Sequence, residues 1–288
     1  MKTKILIIGA NGMAGQLVYL YFKNLKNYKI FTLARTEKFH KIDFKIDVKN
    51  KHEVADVLNT IKPNFIINLV GVLNTNAEQN PDNAIWINSF FPHFLAKIAT
   101  NIGSKLIHIS TDCVFNGKKG SYKENDVKDG YGVYAQSKSL GEINYSNHIT
   151  LRTSIIGPDL NKNGIGLFNW ILKNKNDIVG YSNVFWGGIT TLELSKAIDF
   201  VINNNPRTNL VHVTNNLKIS KFDLIKVIDR VFNLNLNLIS ETETKYDKSL
   251  LNTSEIFNYK TPSYDKMINE LFYFIKINKS FYSNYILK

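Results

Sequence analysis

Lys2 to Gly15 reads KTKILIIGANGMAG, an apolar run that breaks directly into glycines spaced three apart. Lys4 to Ile8 has the continuous apolar character of a buried strand. Gly9, Gly12 and Gly15 follow, and Leu17, Tyr21 and Phe22 then recur at helical spacing. Strand, glycine turn and helix in this order form the context that turns a glycine motif into a dinucleotide site. Gly9 permits the tight turn, Gly12 lets the backbone approach a pyrophosphate, and Gly15 lets the helix pack on the strand. The free N–H groups of the first helical turn then face the phosphates. Asn11 and Met13 lie in the same turn and join the candidate cofactor-binding residues.

The pattern continues outward from this turn. Tyr28 to Leu33 reads as a second strand, ending in Ala34-Arg35. At this position an acidic residue would bind a free ribose 2′-hydroxyl, whereas Arg accommodates a 2′-phosphate. Arg35, aided by Lys38, therefore favours NADPH, with NADH still admissible. Ile42 to Ile46 reads as a third strand. Asp47, followed by Val48, is placed to bond an adenine amino group or to cap the helix beginning near Lys51. Phe65 to Gly71 is a buried strand whose end, Val70-Gly71, lets the backbone lie against the cofactor. Asn83 to Asn101 is a long amphipathic stretch whose apolar residues, Ile85, Phe90, Phe91, Phe94, Leu95 and Ile98, are expected to pack on the sheet. A further strand precedes Ser110, with His108 read as a core residue, and His148 to Ser154 reads as the sixth. Strands alternating with helices imply a parallel, doubly wound α/β sheet. Beyond Gly157 the pattern is less regular, with helical stretches near 168–173, 192–203 and 221–232. The expected division is a dinucleotide-binding domain over residues 1–156 and a smaller substrate lobe over residues 157–288, some of whose segments return to the first domain. The aromatic tail beyond Ile277, with Phe281, Tyr282 and Tyr285, docks either on the body or on a partner subunit.

The chemistry concentrates between Ser110 and Glu142. Thr111 follows a strand's carboxyl end, where open α/β sheets place ligands. Tyr134 and Lys138, four apart on a helix, share one face. An ammonium beside a phenol favours the phenolate and lowers a pKa that is ordinarily ~10. Hydroxyl, phenol and ammonium together suit proton transfer at a carbonyl oxygen.

Composition bounds the alternatives. The chain has 288 residues, 44% hydrophobic and 21% charged, enough for one or two domains with a substantial core. No apolar run approaches the ~20 residues of a membrane span, and Lys4 to Gly9 is too short for a signal-peptide core, so a cytoplasmic protein is expected. The single cysteine, Cys113, excludes an internal disulfide and argues against structural zinc; no metal site is expected. The net charge of +12 is spread over scattered lysines, not gathered into the patch that nucleic acid requires.

With the glycine motif, Ser110-Thr111-Asp112, Tyr134-x-x-x-Lys138 and Leu151-Arg152-Thr153 in this order, the chain resembles the extended short-chain dehydrogenase/reductase superfamily. STDCVFNGKKGSYKEND and SLGE resemble its dTDP-4-dehydrorhamnose reductase branch. HISTDCVF, LRTSIIG, GGITTLEL and PSYDKMI are most similar to a subgroup that reduces UDP-linked 4-keto-6-deoxy-2-acetamido sugars of the UDP-N-acetyl-L-rhamnosamine type. The resemblance implies a Rossmann-like sheet with a smaller C-terminal substrate-binding lobe. It implies Tyr134 as general acid, Lys138 lowering the Tyr134 pKa and holding the nicotinamide ribose, and Thr111 bonding the keto oxygen. It brings Cys113, Arg152, Trp186 and Lys248 to the nucleotide sugar, although Arg152 also reads as a structural ion pair and Trp186 as packing. Cys113 stands where rhamnose reductases usually carry Tyr, and Lys248 where relatives more often carry Arg near the diphosphate. The implied activity is NADPH-dependent reduction of a nucleotide-linked 4-keto-6-deoxy sugar for O-antigen or capsule synthesis, by a chain compatible with a homodimer. The alternatives are a dTDP-4-dehydrorhamnose reductase, an epimerase or dehydratase with tightly held NAD, and a non-catalytic NADP-binding regulatory subunit of the same branch.

Overall fold

A computed structural model describes residues 2–161, 164, 166–174, 177–283 and 285. Its centre is a seven-stranded sheet. In chain order the strands are β1 (Thr3–Ile8), β2 (Tyr28–Ala34), β3 (Phe44–Lys45), β4 (Phe65–Asn68), β5 (Lys105–Thr111), β6 (Ile149–Thr153) and β7 (Leu210–His212). Their spatial order is β7-β6-β5-β4-β1-β2-β3, and every pairing is parallel.

The continuous apolar run of β1 is explained by burial on both faces, as parallel sheets require. Ile5 and Ile7 pack on one side with α1 (Met13–Asn24) and the later helices, while Leu6 and Ile8 pack on the other against α2 (Lys51–Ile61) and α3 (Phe91–Asn101). Chain progress reverses between β1 and β4. The first crossovers build outward to β3, and the later ones build the opposite way to β7. That reversal opens a crevice at the strands' carboxyl ends, flanked by Gly9 and the Leu69–Gly71 segment.

The long helical stretch preceding β5 is not uniform. Pro81–Ala84 is α-helical, Ile85–Phe90 is π-helical, and α3 then begins at Phe91. The extra residue of a π turn shifts which side chains face the sheet. Phe91 and Leu95 are core, as expected, but Ile85 and Phe90 are 53% and 43% exposed, so the expectation that they pack inward is corrected. The same turn drives Asn88 fully inward.

The later chain contributes both to the sheet and to smaller elements. The helix α5 (Thr191–Asn204) packs beside α1, and β7 extends the sheet edge. A separate three-stranded sheet places Val184–Trp186 between Ile219–Ser220 and Tyr246–Asp247. The helix α6 (Lys221–Phe232) follows directly from Ser220, and α7 (Tyr264–Ile277) leads to the tail. Phe281, Tyr282 and Tyr285 dock on their own chain, and Tyr282 is buried. No helix among the described residues is long and apolar enough to cross a membrane.

Candidate active site

The crevice holds a groove of about 700 Å³. Its lining includes Gly9, Asn11, Gly12, Met13, Arg35, Asp47, Val48, Val70 and Gly71, together with Lys38. Gly9 has φ +87°, in the region that favours glycine. Gly15 lies outside the lining and acts in packing: a Cβ there would sit 2.0 Å from the Gly9 carbonyl oxygen. Gly15→Ala therefore has to displace the turn from the helix, and dinucleotide binding is expected to fall by more than tenfold, as read by fluorescence titration of the folded variant. Asn11 donates its amide to the Thr36 carbonyl, tying the glycine turn to the loop after β2. Asp47 accepts the Lys49 N–H at 3.0 Å, while Asn50 caps α2 through the Glu53 N–H. The helix-capping alternative for Asp47 is thus corrected: it braces a turn and lines the groove.

The catalytic candidates lie beside this groove. Asn68, the last residue of β4, is in register with His108 of β5, so Thr111 stands beyond it at the same carboxyl edge of the sheet. Thr111 accepts the Cys113 N–H at 3.1 Å and donates to Asp112 at 3.1 Å, fixing its hydroxyl at the strand end. Tyr134 and Lys138 project from α4 (Gly132–Leu140). Buried Asn88 clasps both sides: its amide bonds the Val72 backbone in both directions at 2.9 Å and donates to the Ser137 hydroxyl at 3.1 Å. A lone Asn on a helical stretch carries no signal of this role, because the π turn that aims it is not visible in residue spacing.

The electrostatics correct one expectation. Burial pushes the Tyr134 phenol above its ordinary range, Cys113 and Asp112 add to that, and the Thr111 hydrogen bond opposes it. Lys138 is turned to the strand backbone. Its ammonium is buried and donates to the Ile109 carbonyl at 2.7 Å, and burial brings it down to about 8 against the opposing charge of Glu142. Desolvation of the phenolate outweighs the expected help from the lysine. At neutral pH the phenol is a proton donor. His108, by contrast, is core as expected: Asn68 bonds its Nδ1 at 3.1 Å and burial keeps the ring neutral.

Of the two readings of Arg152, the structural ion pair is the one the geometry supports, and the pocket reading is corrected. It is 1% exposed and grips Glu142 with two bonds, Nε to Oε1 at 2.8 Å and Nη2 to Oε2 at 2.7 Å. Its Nη1 donates to His212 Nε2 at 2.8 Å, leaving His212 Nδ1 to donate to the Leu251 carbonyl at 2.9 Å. Ser110 donates to the same Glu142 at 2.7 Å, so the pair anchors the residue preceding Thr111. For Trp186 the packing alternative is likewise the one supported: it is a strand residue, 4% exposed and packed near Tyr264, and its placement at the nucleotide sugar is corrected.

Tertiary structure adds Lys221, which sequence reasoning missed. Lys221 follows Ile219–Ser220, and Lys248 follows Tyr246–Asp247, so the three-stranded sheet brings them to opposite sides of the Phe185–Trp186 strand. The Lys221 ammonium lies 5.2 Å from the centre of the Trp186 ring. Burial lowers its pKa, while Asp112 and Cys113 pull it upward. For Lys248 burial also pulls downward, but Cys113, Tyr246 and Asp112 outweigh it, and its pKa rises. Burial raises Asp112 against both lysines, and it pushes the Cys113 thiol up to about 11, which makes that thiol a poor nucleophile at neutral pH. Two cations thus face the loop that follows Thr111.

Residues 3–250 match the family described as the RmlD substrate binding domain. The chain belongs to this family. A dTDP-4-dehydrorhamnose reductase of Aggregatibacter actinomycetemcomitans is 28% identical over 233 residues, covering 77% of this chain and 76% of the relative. The spore coat polysaccharide biosynthesis protein SpsK of Bacillus subtilis is 25% identical over 250 residues, covering 85% of this chain and 84% of the relative. Among solved structures, a dTDP-4-dehydrorhamnose reductase of Bacillus anthracis in complex with NADP superposes with a TM-score of 0.82 at 22% identity, covering 95% of this chain and 99% of that one. At that identity the family likeness in structure establishes the fold.

Proposed function

We propose that this chain reduces the C4 ketone of a nucleotide-linked 4-keto-6-deoxyhexose with NADPH, and that its substrate is a UDP-linked 2-acetamido sugar used in polysaccharide synthesis. The observation that carries this reading is geometric: Thr111 ends β5, Lys138 of α4 bonds the Ile109 carbonyl of that strand, and Asn88 ties α4 to Val72 in the groove wall. The residues present fit the cofactor. The Gly9–Met13 turn would hold the pyrophosphate, Arg35 and Lys38 a 2′-phosphate, and Val70 and Gly71 the path toward the nicotinamide. When bound, NADPH supplies the hydride.

The chain supplies the rest. Thr111, its hydroxyl turning from Asp112 to the substrate, and Tyr134 hold the ketone oxygen as negative charge grows on it, and Tyr134 donates the proton that completes the alcohol. Lys138 positions the ribose and, as a buried cation one turn away, replaces charge as the proton leaves. Lys221 and Lys248 would anchor the substrate diphosphate. Lys221→Met is expected to raise the KM for the nucleotide sugar about ten- to a hundredfold, the worth of a charge-assisted hydrogen bond, and to leave the KM for NADPH within about twofold. Steady-state kinetics in both substrates checks this. Cys113 supports the acetamido sugar, because a small side chain leaves room where the rhamnose reductases usually carry Tyr.

The test is NADPH oxidation followed at 340 nm with an in-situ-generated UDP-4-keto-6-deoxy-N-acetylhexosamine, beside the dTDP-4-keto-6-deoxyhexose. Turnover of the UDP sugar alone supports the proposal. Turnover of the dTDP sugar alone makes the chain a dTDP-4-dehydrorhamnose reductase. NADPH binding without turnover of either leaves the regulatory-subunit reading standing in its place.

A further inference from the structure

The tail beyond α7 touches both walls of the dinucleotide groove without lining it. One wall is the segment after Gly157, of which Asp159, Asn161 and Gly164 face the groove. Among the described residues around Asp159 there is no regular element, and the fastening comes from elsewhere. Tyr285 accepts the Asp159 N–H at 2.7 Å, and its hydroxyl proton lies between the Asp159 carbonyl, at 2.8 Å, and the Asn169 side-chain oxygen. Buried Asn169 completes the clasp, accepting the same N–H at 3.2 Å and donating to the same carbonyl at 3.1 Å.

Tyr282 reaches the first turn of α1, which follows the glycine turn. Its hydroxyl donates to Gln16 Oε1 at 2.6 Å, and both side chains are buried. The Gln16 amide in turn donates to Met13 O at 3.0 Å and to Pro158 O at 2.9 Å. One side chain therefore joins the start of α1, the wall at Pro158 and the tail. On the opposite wall, Phe281 lies 6.2 Å from the ring of His40, which stacks on Tyr19 at 3.8 Å. His40 directly follows Phe39, and Phe39, Arg35 and Lys38 line the groove.

We propose that Phe281, Tyr282 and Tyr285 form a brace that holds both walls of the dinucleotide groove in their binding arrangement, with Tyr282 and Tyr285 as positioning residues that set affinity for the adenosine and diphosphate half of the cofactor. The physical basis is preorganisation: a wall already fixed loses little further freedom when ligand arrives, and a loose one loses more. This rests on the reading of the groove as a nicotinamide dinucleotide site.

The experiment uses the full chain carrying Tyr285→Phe, which removes one hydroxyl at a partly exposed position, and Tyr282→Phe as a second variant. Dissociation constants for NADPH and for adenosine 2′,5′-bisphosphate are measured by fluorescence titration, with thermal unfolding alongside. Each variant is expected to weaken both ligands about three- to tenfold, the range for losing one hydrogen bond. In turnover the KM for NADPH rises, and kcat at saturating NADPH stays within about twofold. Tyr282→Phe also leaves Gln16 Oε1 buried without a donor. If that variant does not fold, Tyr285→Phe alone decides. Affinities within twofold of the parent in folded Tyr285→Phe, or a fall in kcat with KM unchanged, overturn the brace. If the parent chain itself binds neither NADPH nor NADH, the dinucleotide reading fails and the brace fails with it.

Discussion

Replacing Tyr134 by Phe is expected to cut the rate of ketone reduction by about 10²–10⁴-fold while NADPH affinity stays within a few-fold. The substitution removes one oxygen, and the aromatic ring keeps its packing on α4. What disappears is the proton that neutralises the developing alkoxide. Burial holds that proton on the phenol at neutral pH, so no deprotonation has to precede the step. Thr111 still offers one hydroxyl to the ketone oxygen, and binding terms persist, which sets the floor above the uncatalysed rate. Single-turnover kinetics with saturating NADPH isolates the chemical step. Activity retained within a few-fold would remove Tyr134 from the mechanism and return the proton donor to another group.

Arg152→Leu is expected to destabilise the fold by about 3–5 kcal/mol, because it leaves the buried Glu142 charge with only the half-exposed Lys128, at 3.2 Å, in place of a two-bond guanidinium. The corresponding fall in Tm is roughly 5–15 °C for a chain of this size. In the parent, burial alone would raise the Glu142 pKa, but the Arg152 hydrogen bonds and charge, with Lys128 and Ser110, hold it below the ordinary carboxylate value. A depressed carboxylate contributes stability that is present above its unfolded pKa of ~4.3 and is lost as pH falls through the lower folded value. In the variant the sign reverses. Burial without the guanidinium favours the protonated acid, which relieves the penalty as the pH drops. The stability gap between the two proteins should therefore narrow from pH 7 to pH 5, as measured by urea midpoints. A gap independent of pH would mean that lost packing, not the stranded carboxylate, dominates. The double variant Arg152→Leu with Glu142→Leu should recover most of the loss, since an apolar pair carries no desolvation cost. Because Ser110 donates to Glu142 at 2.7 Å, the single variant should also loosen the strand end that carries Thr111.

The fold was largely legible because its signals are local. Lys4 to Ile8, Phe65 to Asn68 and the glycines at 9, 12 and 15 each state their own conformation, and parallel α/β order follows from their alternation. Part of the candidate groove was legible for the same reason, since Gly9, Gly12, Arg35, Asp47 and Gly71 lie in turns that follow strands. Phe90 was misjudged because helical periodicity assumes 3.6 residues per turn, and a π turn at Ile85–Phe90 breaks that assumption without a residue-type signature.

Arg152 and Trp186 show the other limit. The strand position of Arg152 was readable and that of Trp186 was not, and which way each faces depends on partners sixty or more residues away, such as His212 and Tyr264. Lys221 was invisible for the same reason: its nearness to Asp112 and Cys113 exists only once a three-stranded sheet has paired segments from Val184, Ile219 and Tyr246. The sequence by itself determined the parallel sheet and offered the glycine turn and Thr111, Tyr134 and Lys138 as candidates, because strand pattern, glycine spacing and a helical four-residue spacing are local signals. Only the tertiary structure decided the ion pair at Arg152, the cations facing Cys113 and the tail's grip on Gln16, because burial and charge pairing depend on segments that meet only after the chain has folded.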